Sequence, residues 1–187
     1  MRIIAGEFRG RRLLAPKGTA IRPTSDRARE ALFDILEHGD PPVRGARFLD
    51  LFCGTGAVGL EALSRGADAV LLVDDQPEAV RLARANIERL GAPANVRLLV
   101  RDATRLGKAR QPFDLIFLDP PYGSGLATAA LDSLREGGWL APEARVIVEL
   151  AAGEPLEVPP GYEIERERRY GAARFVFLRP ISRSDGS

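Results

Sequence analysis

FLDLFCGTGAVGLEAL, from Phe48 to Leu63, is the stretch on which the fold turns. Its apolar opening, Phe48-Leu49-Asp50-Leu51-Phe52, has the length of a buried strand and runs directly into Cys53-Gly54-Thr55-Gly56. A helix-like run begins at once after it. Glycine suits such a reversal because it accepts the backbone angles of a sharp turn and, having no Cβ, lets a ligand press against the main chain. The helix that follows points unpaired N–H groups at whatever sits there. Strand, glycine turn and helix in this order read as the nucleotide-binding corner of a doubly wound α/β sheet. Gly54-Thr55-Gly56-Ala57-Val58-Gly59 also satisfies G-x-G-x-x-G, and Asp74 follows about 20 residues later, as that fingerprint asks. The corner implies an adenosine-containing cofactor without separating hydride transfer from methyl transfer. A tight connection with no ligand is the competing reading.

Outward from the turn the pattern repeats. Strands are predicted at Phe48–Phe52, Ala69–Val73, Val96–Val100, Leu115–Leu118 and Arg145–Leu150, with helices at Ala57–Ser64, Pro77–Leu90 and Ala127–Arg135 and a short helical piece after Asp102. Regular alternation of this kind argues a mainly parallel sheet with helices on both faces. Ligands in such sheets sit beyond the carboxyl ends of the strands, where Cys53–Gly56, Asp74, Asp102 and Asp119–Tyr122 all fall. Tyr162–Arg168 and Arg174–Leu178 flank Tyr170-Gly171 and predict an antiparallel pair. Ahead of the repeat, Arg2–Gly6 and Arg12–Ala15 flank a glycine-containing turn and suggest a short hairpin or arm. Thr24-Ser25-Asp26 offers N-caps for a helix over Arg27–Glu37.

The chain's 187 residues suit one domain, or one with an appendage. Its 45% hydrophobic and 28% charged residues are ordinary for a globular protein, and no run is apolar for the roughly 18 residues a membrane span requires. The N-terminus lacks the apolar core of a secretory signal, so a cytoplasmic protein is expected. A single cysteine, Cys53, excludes an internal disulfide and a cysteine-based zinc site. The net charge of +1 hides an asymmetry: residues 1–30 hold eight basic and three acidic side chains, the remainder 19 and 23. A basic segment on a mildly acidic body is an electrostatic handle for a polyanion, or a solvated arm without a partner.

Asp119-Pro120-Pro121-Tyr122 discriminates between the chemistries. Two proline rings fix φ and stiffen the loop, which suits a positioning role. The exocyclic amine of a nucleobase is a poor nucleophile because its lone pair is delocalised into the ring. A carboxylate from Asp119 and the carbonyl of Pro120 could accept its two hydrogens and favour a pyramidal nitrogen. Tyr122 could stack on the base. Hydride transfer has no use for this arrangement, whereas a rigid loop whose aspartate caps a turn is the plain alternative.

At these residues the chain resembles the class I, S-adenosylmethionine-dependent methyltransferases that carry an Asp/Asn/Ser-Pro-Pro-aromatic motif and methylate exocyclic amines. More closely it resembles the RsmD family of small-subunit (16S) ribosomal RNA guanine-N2 methyltransferases. Arg2–Gly10, Arg22–Leu36, Phe48–Ala67, Asp119–Tyr122 and Arg169–Gly171 carry the likeness, which runs from Arg2 to about Leu178. Asp74 stands where the family often has Glu, keeping the carboxylate. The resemblance implies a Rossmann-like α/β fold with a mainly parallel seven-stranded sheet, an antiparallel C-terminal strand pair and an N-terminal β-hairpin extension. It implies S-adenosylmethionine as cofactor, with its methionine moiety near Asp50, Gly54, Thr55 and Gly56, its ribose on Asp74 and its adenine at Asp102 and Ala103. Asp119, Pro120 and Tyr122 would be catalytic and receive guanine. Residues 1–25 would form the RNA-contacting arm, through Arg2, Arg9, Arg11, Arg12, Arg22 and Thr24, the last two lining the cofactor or base entrance. Residues 26–180 would form the methyltransferase domain and 181–187 a tail. The implied substrate is a partly assembled small ribosomal subunit, met by a monomer without metal or membrane.

Other candidates have plainer roles. His38, the only histidine, lies where a helix C-terminus is expected and suits capping. With no second histidine and no cysteine cluster, a transition-metal site is not expected. Cys53 reads as a small side chain in a tight turn, and Glu149 as a strand end facing solvent or a helix terminus. Three rival functions remain open at this stage. They are amine methylation of another acceptor (adenine-N6 in DNA or RNA, or a protein amide), an NAD(P)-dependent oxidoreductase, and a ribosome-assembly module without turnover.

Overall fold

The computed structural model describes residues 1–16, 25–91 and 94–181. Strands β1 (Arg47–Leu51), β2 (Ala69–Asp74), β3 (Val96–Val100), β4 (Phe113–Leu118) and β5 (Leu140–Ala151) pair in parallel. β6 (Tyr162–Tyr170) and β7 (Ala173–Pro180) form a hairpin, and β7 enters the sheet antiparallel to β5. The order β3-β2-β1-β4-β5-β7-β6 therefore reverses direction where the dinucleotide fold's 3-2-1-4-5-6 order would stay parallel.

Alternation along the central strands builds two cores. From β1, Phe48 faces one apolar cluster while Leu49 and Leu51 face the other; from β4, Leu115 and Phe117 oppose Ile116 and Leu118. Helices α1 (Asp26–Glu37) and α2 (Ala57–Ser64) cover the first face. Ala83 from α3 (Pro77–Arg89) joins them. α4 (Leu126–Gly137) covers the second face, with Leu106 packed beside it. α2 and α3 start at the residues their patterns imply, and α1 and α4 one residue earlier. The Ser25 hydroxyl accepts the Ala28 N–H at 3.1 Å to cap α1, and Pro77 opens α3, where a missing N–H costs nothing. β5 begins five residues earlier than the sequence suggests, with Leu140 beside Phe113 and a register break before Leu115. Pro142 and Glu143 are exposed there, so no apolar alternation announced the extension.

Residues 1–16 belong to the same body. They fold back along α2 and α3 as a narrow hairpin, with an antiparallel bridge from Arg2 to Arg12 and backbone hydrogen bonds from the Ile3 N–H to the Arg11 carbonyl, the Gly10 N–H to the Ile3 carbonyl and the Leu13 N–H to the Met1 carbonyl. The hairpin is seated on α2: the N–H groups of Ile4 and Ala5 donate to the Glu61 carboxylate at 2.8 and 3.0 Å, and that of Phe8 to the Ser64 hydroxyl at 2.9 Å. Ile3, Phe8 and Leu13 are buried in the first core. Glu61 is fully buried between Arg65 at 2.8 Å and Arg29 at 3.8 Å. Arg29 also reaches the Arg2 carbonyl and Asp26, and burial lowers its pKa against the pull of Glu61. Charges buried this completely hold only while every partner is in place. Gly6 is required by close approach, since a Cβ there would fall 1.8 Å from the Ser64 carbonyl oxygen.

Candidate active site

A cavity of about 520 Å³ opens at the carboxyl ends of β1, β2, β3 and β4. Its walls bring together Asp50, Gly54 and Thr55 from the first turn, Asp74, then Asp102 and Ala103, and finally Asp119, Pro120 and Tyr122. The expected cofactor wall and the expected base wall thus share one space. Arg101 is the only basic residue among the described ones lining it, against Asp50, Asp74, Asp75, Asp102 and Asp119. A pocket of this sign favours a cationic ligand.

The three glycines of the turn do different work. Gly54 has φ +55° and nothing within 4 Å of a virtual Cβ, so its surroundings are the open cavity. Gly56 (φ +77°) and Gly59 are packing glycines: a Cβ would lie 2.8 Å from Leu72 Cδ1 at the first and 2.4 Å from Leu72 Cδ2 at the second. They let α2 settle onto β2. Just before them Phe52 adopts φ +58°, a left-handed conformation that non-glycine residues rarely take and that clusters at functional sites.

Asp50 is 1% exposed and points to the α2 side, where its Oδ2 accepts the Gly59 N–H at 2.9 Å. Burial pushes its pKa from 3.8 up to about 7; the Gly59 bond opposes the rise and nearby Asp74 adds to it. A carboxyl poised there ionises readily once a cation arrives. Asp74 braces the turn itself: Oδ2 accepts the Gly54 N–H and Oδ1 the Gln76 N–H, both at 2.9 Å. Each oxygen keeps a second lone pair for a hydroxyl donor. Asp102 accepts the Thr104 N–H at 2.8 Å and hydroxyl at 2.7 Å, opening the short 3-10 turn Ala103–Arg105, and these bonds lower its pKa. Burial, then Asp50 and Asp74, raise the Cys53 thiol well above its ordinary value, so it is no nucleophile.

On the opposite wall, the Asp119 N–H donates to the Leu51 carbonyl at 3.3 Å, tying the loop to the end of β1. Pro120 is buried, while Tyr122 is 41% exposed and donates its hydroxyl to Glu149 at 3.3 Å. Glu149 corrects its sequence reading. It is buried, and its carboxylate anchors the tyrosine instead of facing solvent. A carboxylate interrupting Val146-Ile147-Val148 and Leu150 in a central strand was the signal that could have found it.

The remaining candidates lie outside the cavity or outside the described residues. Arg2, Arg9, Arg11 and Arg12 are exposed on the N-terminal segment, and Arg11 is engaged with the Leu90 carbonyl at 3.1 Å and the Phe8 ring. Arg22 and Thr24 fall outside the described residues. His38 caps α1, its Nδ1 2.8 Å from the Asp34 carbonyl. Among the described residues no group of three or more His, Cys, Asp or Glu is arranged to hold a metal ion.

Residues 1–179 match a family model described as Conserved hypothetical protein 95. Ribosomal RNA small subunit methyltransferase D of Escherichia coli (strain K12) is 38% identical over 178 residues, covering 94% of this chain and 87% of its own. A solved structure of yhhF from Escherichia coli superposes with a TM-score of 0.81 at 35% identity, over 98% of this chain and 99% of that one. The fold alone is shared with magnesium protoporphyrin IX methyltransferase from Synechocystis PCC 6803 with bound SAM, at a TM-score of 0.62, 19% identity and coverages of 81% and 77%. With a Rossmann-like methyltransferase sheet and matches along nearly its whole length, the chain belongs to the family described as Conserved hypothetical protein 95, the RsmD family that its motifs resemble.

Proposed function

We propose that this chain transfers a methyl group from S-adenosylmethionine to the exocyclic N2 of a guanine in small-subunit rRNA, acting on assembled or partly assembled small subunits. The observation that carries the reading is the shared cavity. Asp119-Pro120-Pro121-Tyr122 faces the same space as the glycine turn and Asp74, so a base and a cofactor can meet there. The Escherichia coli relative, by name a ribosomal RNA small subunit methyltransferase, supports small-subunit rRNA as the acceptor.

The residues fit the cofactor. Open space at Gly54 admits a ligand against the main chain, Asp74 offers lone pairs to ribose hydroxyls, and the near-neutral Asp50 suits the methionine ammonium. When bound, S-adenosylmethionine supplies a sulfonium methyl carbon, which the amine lone pair attacks as the carbon–sulfur bond breaks and its electrons leave with the thioether. Asp119 and the Pro120 carbonyl accept the amine hydrogens and aim the lone pair. The Tyr122 ring, held through its hydroxyl by Glu149, stacks on the base. The displaced proton leaves to Asp119 or water. Transfer of this kind needs approximation and in-line geometry more than a strong base.

The test is methyl transfer from labelled S-adenosylmethionine to small subunits lacking the modification, with naked rRNA alongside, followed by nucleoside mass analysis. N2-methylguanosine from the subunits is expected. Label in another nucleoside moves the acceptor and refutes the guanine reading. No label in either substrate, with cofactor bound, refutes the activity.

A further inference from the structure

Asn86 sits in the third turn of α3, fully buried, with every hydrogen-bonding group of its side chain directed at another segment. Its Oδ1 accepts the Leu14 N–H at 2.7 Å. Its Nδ2 donates to the Leu14 carbonyl at 3.1 Å and to the Thr55 carbonyl at 2.9 Å. One amide therefore joins the end of the N-terminal segment, 72 residues away in sequence, to the glycine turn, 31 residues away. A second link lies close by, where the Thr55 hydroxyl meets Met1 Sδ at 3.5 Å. An amide is the one group of this size that can satisfy a donor and two acceptors at once. Leucine would fill the volume and leave three backbone groups without a partner.

We propose that Asn86 is a positioning residue that couples the N-terminal segment to the cofactor turn. Occupancy of the turn tightens the Leu14 end of the segment, and whatever grips the segment tightens the turn, because such coupling is reciprocal. The turn's role as cofactor site rests on the proposed function; the tie between the two segments does not.

The experiment is amide hydrogen exchange on the ligand-free protein, its Asn86→Leu variant and its Asn86→Asp variant, repeated with saturating S-adenosylmethionine. The Val148 amide in the sheet serves as the control for global opening. In ligand-free Asn86→Leu, the amides of Leu14, Gly54 and Gly56 should exchange together about fivefold faster or more, the worth of one hydrogen bond. Asn86→Asp keeps the acceptor for the Leu14 N–H and offers at most one donor where the amide had two, so Gly54 and Gly56 should speed up, by less than in Asn86→Leu, while Leu14 stays protected. If the leucine variant fails to fold, the aspartate variant decides alone. S-adenosylmethionine should slow Leu14 exchange in the wild type and leave it unchanged in Asn86→Leu. Turn amides at the wild-type rate in a folded variant would overturn the proposal, as would equal slowing of Leu14 by the cofactor in wild type and Asn86→Leu. Wild-type protein that binds no S-adenosylmethionine would refute the proposed function, and the ligand-free rates would still decide the coupling.

Discussion

Asp50→Asn should make the ligand-free protein more stable at alkaline pH than at acid pH, relative to wild type. The folded Asp50 holds its proton up to about pH 7, whereas the unfolded carboxyl releases it near 3.8. Between those values the folded state binds more protons, so raising the pH removes stability, and the loss levels off above about 7. Integrating the two ionisations from pH 5 to pH 8 gives a loss of about 3 kcal/mol from this group. Asparagine never ionises, and its carbonyl can still accept the Gly59 N–H. Other carboxylates titrate alike in both proteins, so the difference between the two isolates Asp50. Denaturant unfolding at pH 5 and pH 8 without cofactor should therefore show the gap between Asp50→Asn and wild type widening by about 3 kcal/mol in favour of the variant. A gap that is the same at both pH values would refute the argument that burial of Asp50 is opposed by its charge.

Asp119→Asn should abolish turnover while the S-adenosylmethionine isotherm, measured by calorimetry, stays intact; loss of both together would remove Asp119 from the acceptor side. Gly59→Ala should lower the unfolding free energy by about 1–3 kcal/mol through its clash with Leu72. Gly54→Ala should act chiefly on cofactor affinity, with left-handed strain of about 1–2 kcal/mol, and thermal melts beside binding titrations separate the two. Arg9→Ala with Arg12→Ala should leave cofactor affinity unchanged, weaken binding to small-subunit rRNA and reduce the salt slope by about 2, read from filter binding across salt concentrations. Deleting the whole segment is a poorer test, because Glu61 would lose two backbone donors and Ile3, Phe8 and Leu13 would leave the core.

Much of this architecture is written locally in the chain. The apolar runs, the glycine turn and the proline at the start of α3 are short-range signals, and Ala57–Ser64 and Val96–Val100 appear with the bounds their patterns imply. The parallel strands also carry the site acids to one end of the sheet, as the rule for doubly wound folds requires. What the sequence hides is partnership across distance. Nothing near Glu61 announces that Ile4 and Ala5 will donate to it, nor does Asn86, on an amphipathic helix, announce Leu14 and Thr55. Asp74 showed the spacing of a ribose ligand, yet its bond to Gly54 makes it a support of the turn as well. Such double duty follows from three-dimensional neighbours and has no one-dimensional signature.

The lie of the N-terminal segment has a consequence for what can be recognised. Its two ends sit beside the glycine turn, through Met1 at Thr55 and Leu14 at Asn86, while its bend lies against Ser64 and Leu90 at the far ends of α2 and α3. α3 starts at the cavity wall with Gln76 and Ala79 and runs 13 residues, a length of about 20 Å. Arg11, held at the Leu90 carbonyl, and its neighbour Arg9 therefore stand about a helix length away from the cavity. A nucleoside or dinucleotide in the cavity cannot touch them, whereas a folded RNA whose backbone doubles back along the flank of the protein can. On the proposed function, the segment would be a ruler that measures the shape of the acceptor well away from the target base.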